Sequence, residues 1–147
     1  HTGVRTFEAS AFLRNRGADP VAVKKLFSGS MPSYRQRANI VATAELYGDC
    51  AIAENRINDE NTRIATAQAA DELLGISGVQ SSYVLCRIDN QINISARSLG
   101  SVNVQLIMET LGGGGHRTMA ACQISSSDFE QARLHLIAAI DEYKSNI

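Results

Sequence analysis

The chain has 147 residues, with 44% apolar and 20% charged side chains and a formal net charge of −1. That is the size and balance of one ordinary globular domain, able to bury a core without disulfides or a structural metal. The weak net charge excludes a global field that would draw nucleic acid or a membrane surface, so an anion has to be met by a local site.

"HTGVRTFEASAFLRNRG" opens with helical spacing that puts Phe7, Ala11 and Phe12 on one face, and Gly17 is placed to close the helix in a left-handed cap. "ADPVAVKKLFSGS" predicts a second helix with Asp19 as N-cap and Pro20 at its first position, ended by Ser28-Gly29-Ser30. "PSYRQRANIVATAEL" predicts a third, with Tyr34, Ile40, Val41 and Ala44 facing inward. The pattern then changes. "YGDCAIAENRIN" alternates weakly and reads as a strand, and "ENTRIATAQAADELLGI" as a helix whose alanines at 65, 67, 69 and 70 suit close packing on a sheet. "QSSYVLCRIDNQINISARS" reads as two strands joined at Asp89-Asn90, residues that tolerate positive φ. "SVNVQLIMETL" is a short helix with Val104, Ile107, Met108 and Leu111 on one face and Asn103 or Ser101 as cap. A strand "MAACQIS" follows the glycines. The last helix opens on Ser127-Asp128-Phe129-Glu130, a capping-box pattern, and runs through "QARLHLIAAIDEY". The chain therefore reads as a helical part over 1–45 and a mixed α/β part over 46–147.

Three cysteines, Cys50, Cys86 and Cys122, lie far apart in strand-like stretches. An odd, wide spacing points to buried reduced thiols, not a disulfide framework or zinc site. No apolar run approaches the roughly 20 residues of a membrane helix, and nothing at the start resembles a signal peptide.

Candidate chemistry gathers in two places. Along "INISARS", Ile92, Ile94 and Ala96 point one way and Asn93, Ser95 and Arg97 the other. Asn93 reads as part of a solvated sheet face. Ser95 and Arg97 end the strand beside Ser98 and a helix entry, where Arg97 offers a planar fork of donors suited to a phosphate. The second place is "LGGGGHRTMAA". Gly112 can end a helix, but Gly113, Gly114 and Gly115 exceed that need. Consecutive glycines can turn their amides to one point, or let a ligand touch bare backbone, and His116 follows directly. Composition alone leaves a flexible loop and a phosphate or nucleotide site both open. The aspartates are scattered singly and His1 and His135 have no ligand-type neighbours, so neither a hydrolytic metal centre nor any catalytic residue is assigned within the chain.

"INISARS" followed by "VNVQLIMETLGGGGHRTMAA" resembles the DHH-associated domain, type 1, found C-terminal to DHH phosphoesterase domains. "GVRTFEASAFLRNRGADPVAVKKLF" is similar to the segment joining the two domains in the GdpP-type cyclic di-AMP phosphodiesterases. The resemblance implies an α/β fold, a central mixed sheet of about five strands with helices packed on it, preceded by the helical segment that joins a DHH domain. It implies an intact enzyme whose DHH domain binds manganese and hydrolyses cyclic di-AMP to pApA, anchored at the cell membrane with its catalytic part in the cytoplasm. Carried over residue by residue, the substrate-binding positions are Gly113, Gly114, Gly115, His116, Ser95 and Arg97, with Ser98 and Asn103 as weaker candidates. The metal-binding half is absent, so this piece alone is expected to hold no cofactor and to be inactive. His1 is expected to be a tag remnant or the edge of the piece. Expected partners are a cyclic dinucleotide or short nucleotide and the DHH domain, and a homodimer is compatible with this.

Two alternatives stand beside it. Related enzymes degrade short oligoribonucleotides, single-stranded DNA or adenosine bisphosphate with the same glycine-histidine loop. A non-catalytic nucleic-acid-binding or dimerisation module is the other. The sequence pI of about 6.3 and 5% aromatics weigh against a single-strand binder.

Overall fold

The computed structural model describes residues 3–125 and 128–146. The chain forms two compact units, residues 1–31 and 32–147.

The first unit holds α1 (Val4–Asn15) and α2 (Pro20–Leu26). Gly17, at φ 93°, closes α1: its amide donates to the Arg14 carbonyl and that of Ala18 to the Leu13 carbonyl, each at 3.0 Å. Asp19 caps α2 by accepting from the Val21 amide at 2.9 Å, with Pro20 at the first position. Within this unit Phe7 and Phe12 are exposed, and the Arg16 guanidinium lies 5.2 Å from the Phe12 ring centre.

The second unit is mixed α/β, as expected, built on six strands instead of about five: β1 (Glu45–Tyr47), β2 (Cys50–Asn55), β3 (Ser81–Ile88), β4 (Gln91–Ser98), β5 (Gly114–His116) and β6 (Met119–Ile124). Their order across the sheet is β1-β2-β3-β4-β6-β5, with only β2 and β3 parallel. The stretch read as one strand from Tyr47 is a hairpin, because Gly48-Asp49 turns the chain between the Tyr47–Cys50 pair. The predicted turn at Asp89-Asn90 is present, with positive φ at Asp89 alone.

Residue alternation sends two apolar sets to opposite faces. On one, Ile52, Tyr83, Leu85, Ile94 and Ala120 pack under α5 (Val104–Thr110) and α6 (Phe129–Ser145). On the other, Ala51, Ala53 and Val84 pack under α4 (Thr62–Leu73), where Ala65, Ala69 and Ala70 allow the close approach their spacing predicted. Ile40 of α3 (Met31–Ala42) joins this second core. Tyr34, expected inward, is exposed with Arg37 stacked 5.4 Å from its ring centre: six residues before Ile40 it lies about 120° around the helix. Gln36 holds the inner position instead, its amide donating to the Asp59 carboxylate. α6 is capped by Asp128, which accepts from the Glu130 amide at 2.9 Å; Ser127 of the predicted capping box lies outside the described residues. All three cysteines are free and buried, and burial pushes Cys122 up to about 12.

Candidate functional site

α4 covers β2, β3 and part of β4, leaving the same face of β6 and β5 uncovered; Met119, Ala121 and Gln123 lie exposed on it. Strand register decides what shares that open face, because directly paired residues project to the same side. Arg97 pairs with Met119, and Met119 with His116, so Arg97 and His116 stand in one row two strand spacings apart, roughly 10 Å between their Cα atoms. The next row is Ser95, Ala121 and Gly114, and the row beyond it Asn93 and Gln123. Ser95, Arg97, Gly114 and His116 are thus brought together.

Arg97 is fixed from below. Its Nε donates to Asp71 Oδ1 of α4 at 2.9 Å and its Nη1 to the Ala96 carbonyl at 3.0 Å, and its side chain is only 13% exposed. Nη2 has no partner among the described residues. His116 is exposed at the sheet edge.

The glycines divide by face. Gly112, at φ 80°, ends α5: its amide donates to Glu109 and that of Gly113 to Met108, the paired bonds of a Schellman cap. A Cβ on Gly113 would lie 2.2 Å from the Ala121 carbonyl oxygen, and one on Gly115 2.5 Å from Ala120 Cα. At both positions a side chain would run into the β6 backbone, and Gly115 also holds φ 147°. A Cβ on Gly114 meets nothing within 4 Å. The expected nest of consecutive amides therefore loses the Gly113 amide to the cap; Gly113 still lines the cavity on the open face, and Gly114 has open space where a Cβ would stand.

Ser98 and Asn103 are not in these rows. Ser98 belongs to the alternation of Ile92, Ile94 and Ala96, and its buried Oγ accepts from the Gly100 amide at 2.9 Å. Asn103 is the α5 cap, its Oδ1 accepting from the Gln105 amide at 3.2 Å and its own amide donating to Tyr143 Oη at 2.9 Å. Asn103→Ala is expected to lower stability by about 1 kcal/mol, a Tm fall of roughly 2–4 °C by scanning calorimetry, since a cap and little else is lost. Arg117 donates from Nε to the Gly100 carbonyl at 3.0 Å, tying the β5–β6 turn to the loop before α5.

A cavity of about 420 Å³ opens on this face, lined by Ser95, Gly113, Asn93, Gln123, Arg63 and Thr66 among others. Reading the sequence missed Arg63, Thr66 and Gln123. Arg63 and Thr66 stand three apart on α4, a polar pair on one helix face beside the buried alanines. Cys86 also lines the cavity; burial raises its thiol, partly opposed by Thr66 and Arg63. Among the described residues no three His, Cys, Asp or Glu side chains gather to hold a metal. No helix among them is long and apolar enough to cross a membrane.

The mixed sheet with helices on it is an α/β fold, and the chain belongs to the DHHA1 domain family, whose model matches residues 41–145. The chain is 48% identical over 146 residues to the cyclic-di-AMP phosphodiesterase GdpP of Bacillus subtilis (strain 168). It is 45% identical over 144 residues to the cyclic-di-AMP phosphodiesterase PdeA of Listeria monocytogenes serotype 1/2a (strain 10403S). Each match covers 97% of this chain and 22% of the relative, so the chain spans about a fifth of their length. An exopolyphosphatase-related protein from Bacteroides fragilis shares the fold, with a TM-score of 0.82 at 21% identity over 97% of this chain and 44% of that one. The resemblance read from "INISARS" and the glycine-histidine stretch is confirmed.

Proposed function

We propose that this chain is the substrate-binding domain of a phosphodiesterase that hydrolyses cyclic di-AMP to pApA. The substrate phosphate sits over the Arg97–Met119–His116 row, and Ser95 and the bare backbone at Gly114 lie alongside it. Hydrolysis, with its manganese, belongs to a DHH domain elsewhere in the intact protein, which is anchored at the membrane. The observation that carries this reading is the register that lines up Arg97 with His116 on an open face. Identity of 45–48% to cyclic-di-AMP phosphodiesterases supports the choice of substrate. Arg97 contributes charge and a directed N–H, already oriented by Asp71, so little side-chain entropy is lost on binding.

Calorimetric titration of this chain with cyclic di-AMP, pApA, cyclic di-GMP and a short oligoadenylate tests the reading. The adenine dinucleotides are expected to bind, and His116→Ala and Arg97→Ala each to weaken them at least tenfold. Binding that survives both substitutions would remove the phosphate from this row. Preference for the oligoadenylate over the cyclic form would move the substrate to short linear RNA.

A further inference from the structure

We infer that Arg117 is a positioning residue for the Arg97–His116 row: its guanidinium pins the turn after His116 to the loop after Arg97 and so fixes how far apart the two stand. The inference rests on the reading of that row as the phosphate site and goes beyond it by naming what sets the row's width.

His116 is weakly held by its own strand. β5 has three residues, two of them glycine, and pairs on one side only, with β6. His116 is its last residue, paired with Met119 across the two-residue turn Arg117-Thr118. Two-residue hairpin turns that match the strand twist need positive φ at the first or at both central residues. Neither Arg117 nor Thr118 has it: Asp89 is the one non-glycine residue with positive φ among the described residues. A turn of this kind splays its strands, so its geometry has to be held from outside.

Three bonds hold it, and all reach the segment that leaves Arg97. The Thr118 carbonyl accepts from the Ser98 amide at 3.0 Å, and the Arg117 carbonyl from the Val104 amide at 3.1 Å. Arg117 Nε donates to the Gly100 carbonyl at 3.0 Å. Gly100 is itself braced, its amide donating to Ser98 Oγ at 2.9 Å. Arg97 and His116 are thus each one residue from the same clasp. Two of its three bonds run from backbone to backbone and come with the fold. The third is the one a side chain decides, and it belongs to the residue next to His116. Arg117 is exposed, and among the described residues no carboxylate pairs with it. What it gives the clasp is one directed N–H, on the fourth side-chain atom out from Cα. A glutamine places its amide nitrogen at that same atom.

Arg117→Met and Arg117→Gln separate the bond from the charge. Both remove the charge; Gln keeps an N–H where Nε stood, and Met keeps only the length. In the intact enzyme, Arg117→Met is expected to lower kcat/KM for cyclic di-AMP by about fivefold, more through KM than through kcat, because His116 is still present once the substrate is seated. Arg117→Gln is expected to stay within about twofold of the wild type. Added to His116→Ala, Arg117→Met is expected to cost less than about twofold more, because its effect runs through the residue already lost. Equal losses in the Met and Gln variants would assign the guanidinium to direct contact with substrate and overturn the positioning role. Normal kinetics in Arg117→Met, or full multiplication of its effect with that of His116→Ala, overturns it too. Backbone amide relaxation of this chain by NMR gives a readout independent of substrate. The Gly115 and His116 amides are expected to gain mobility in Arg117→Met and not in Arg117→Gln. If His116→Ala proves kinetically normal, the phosphate reading fails. The relaxation result then decides the clasp alone, and unchanged mobility in Arg117→Met overturns it.

Discussion

Gly113→Ala is expected to destabilise the domain by about 3 kcal/mol or more, while Gly114→Ala, one residue on, changes stability by no more than about 0.5 kcal/mol. The Cβ added at 113 would sit 2.2 Å from the Ala121 carbonyl oxygen and 2.6 Å from Cys122 Cα. Both are backbone atoms of β6, which is paired on its other side to β4 and cannot give way without breaking that ladder. The Gly113 amide also closes α5 on Met108, so moving residue 113 instead opens the helix end. At 114 the backbone φ is ordinary and the space is open. Urea unfolding of the two variants measures the difference as a shift in midpoint at constant slope. The larger variant Gly114→Leu separates folding from function: its side chain would project from the open face beside Ala121, so the fold is kept and nucleotide affinity falls at least tenfold. A Gly114→Leu protein that is stable and binds normally would show that the ligand does not approach β5.

Local signals were readable where short-range chemistry decides. The Asp19 cap, the Gly17 and Gly112 stops, the Asp89-Asn90 turn and the alternation of "INISARS" each depend on neighbours within a few residues, and each is found. What was not readable is pairing between distant strands. Nothing in "MAACQIS" states that it lies beside "INISARS" instead of at another edge, yet that register aligns Arg97 with His116 and Asn93 with Gln123. The same gap explains the omission of Arg63 and Gln123, which line the cavity. The glycine run illustrates both limits. Its helix stop follows from Gly112 alone, but the split between glycines pressed on β6 and the one left bare follows from faces that only pairing defines. Tyr34 failed for a simpler reason: it was placed by apolar character, when its angle from Ile40 already turned it outward.

In the intact enzyme, Arg97→Ala is expected to lower kcat/KM for cyclic di-AMP by about 10²–10³-fold with its metal content unchanged. Arg97 is held at the sheet by Asp71 and Ala96, with one nitrogen left to direct at a phosphate oxygen. Removing it deletes both charge and orientation, and an exposed neighbour cannot replace a donor preset in this way. Arg97→Lys keeps the charge but loses the Nε that donates to Asp71 and the guanidinium plane it fixes, so it is expected to recover only a small part of the rate. Asp71→Asn keeps the guanidinium and loosens its anchor, which should raise KM more than it lowers kcat. His116→Ala, opposite on the same row, is expected to act in the same direction as Arg97→Ala. If the two residues grip one phosphate, the double variant should be less impaired than the product of the single effects, because each loss already misplaces the group the other would hold. Near-normal kinetics in both single variants would take the reacting phosphate away from this row. Strict multiplication in the double variant would mean that Arg97 and His116 serve two different parts of the substrate.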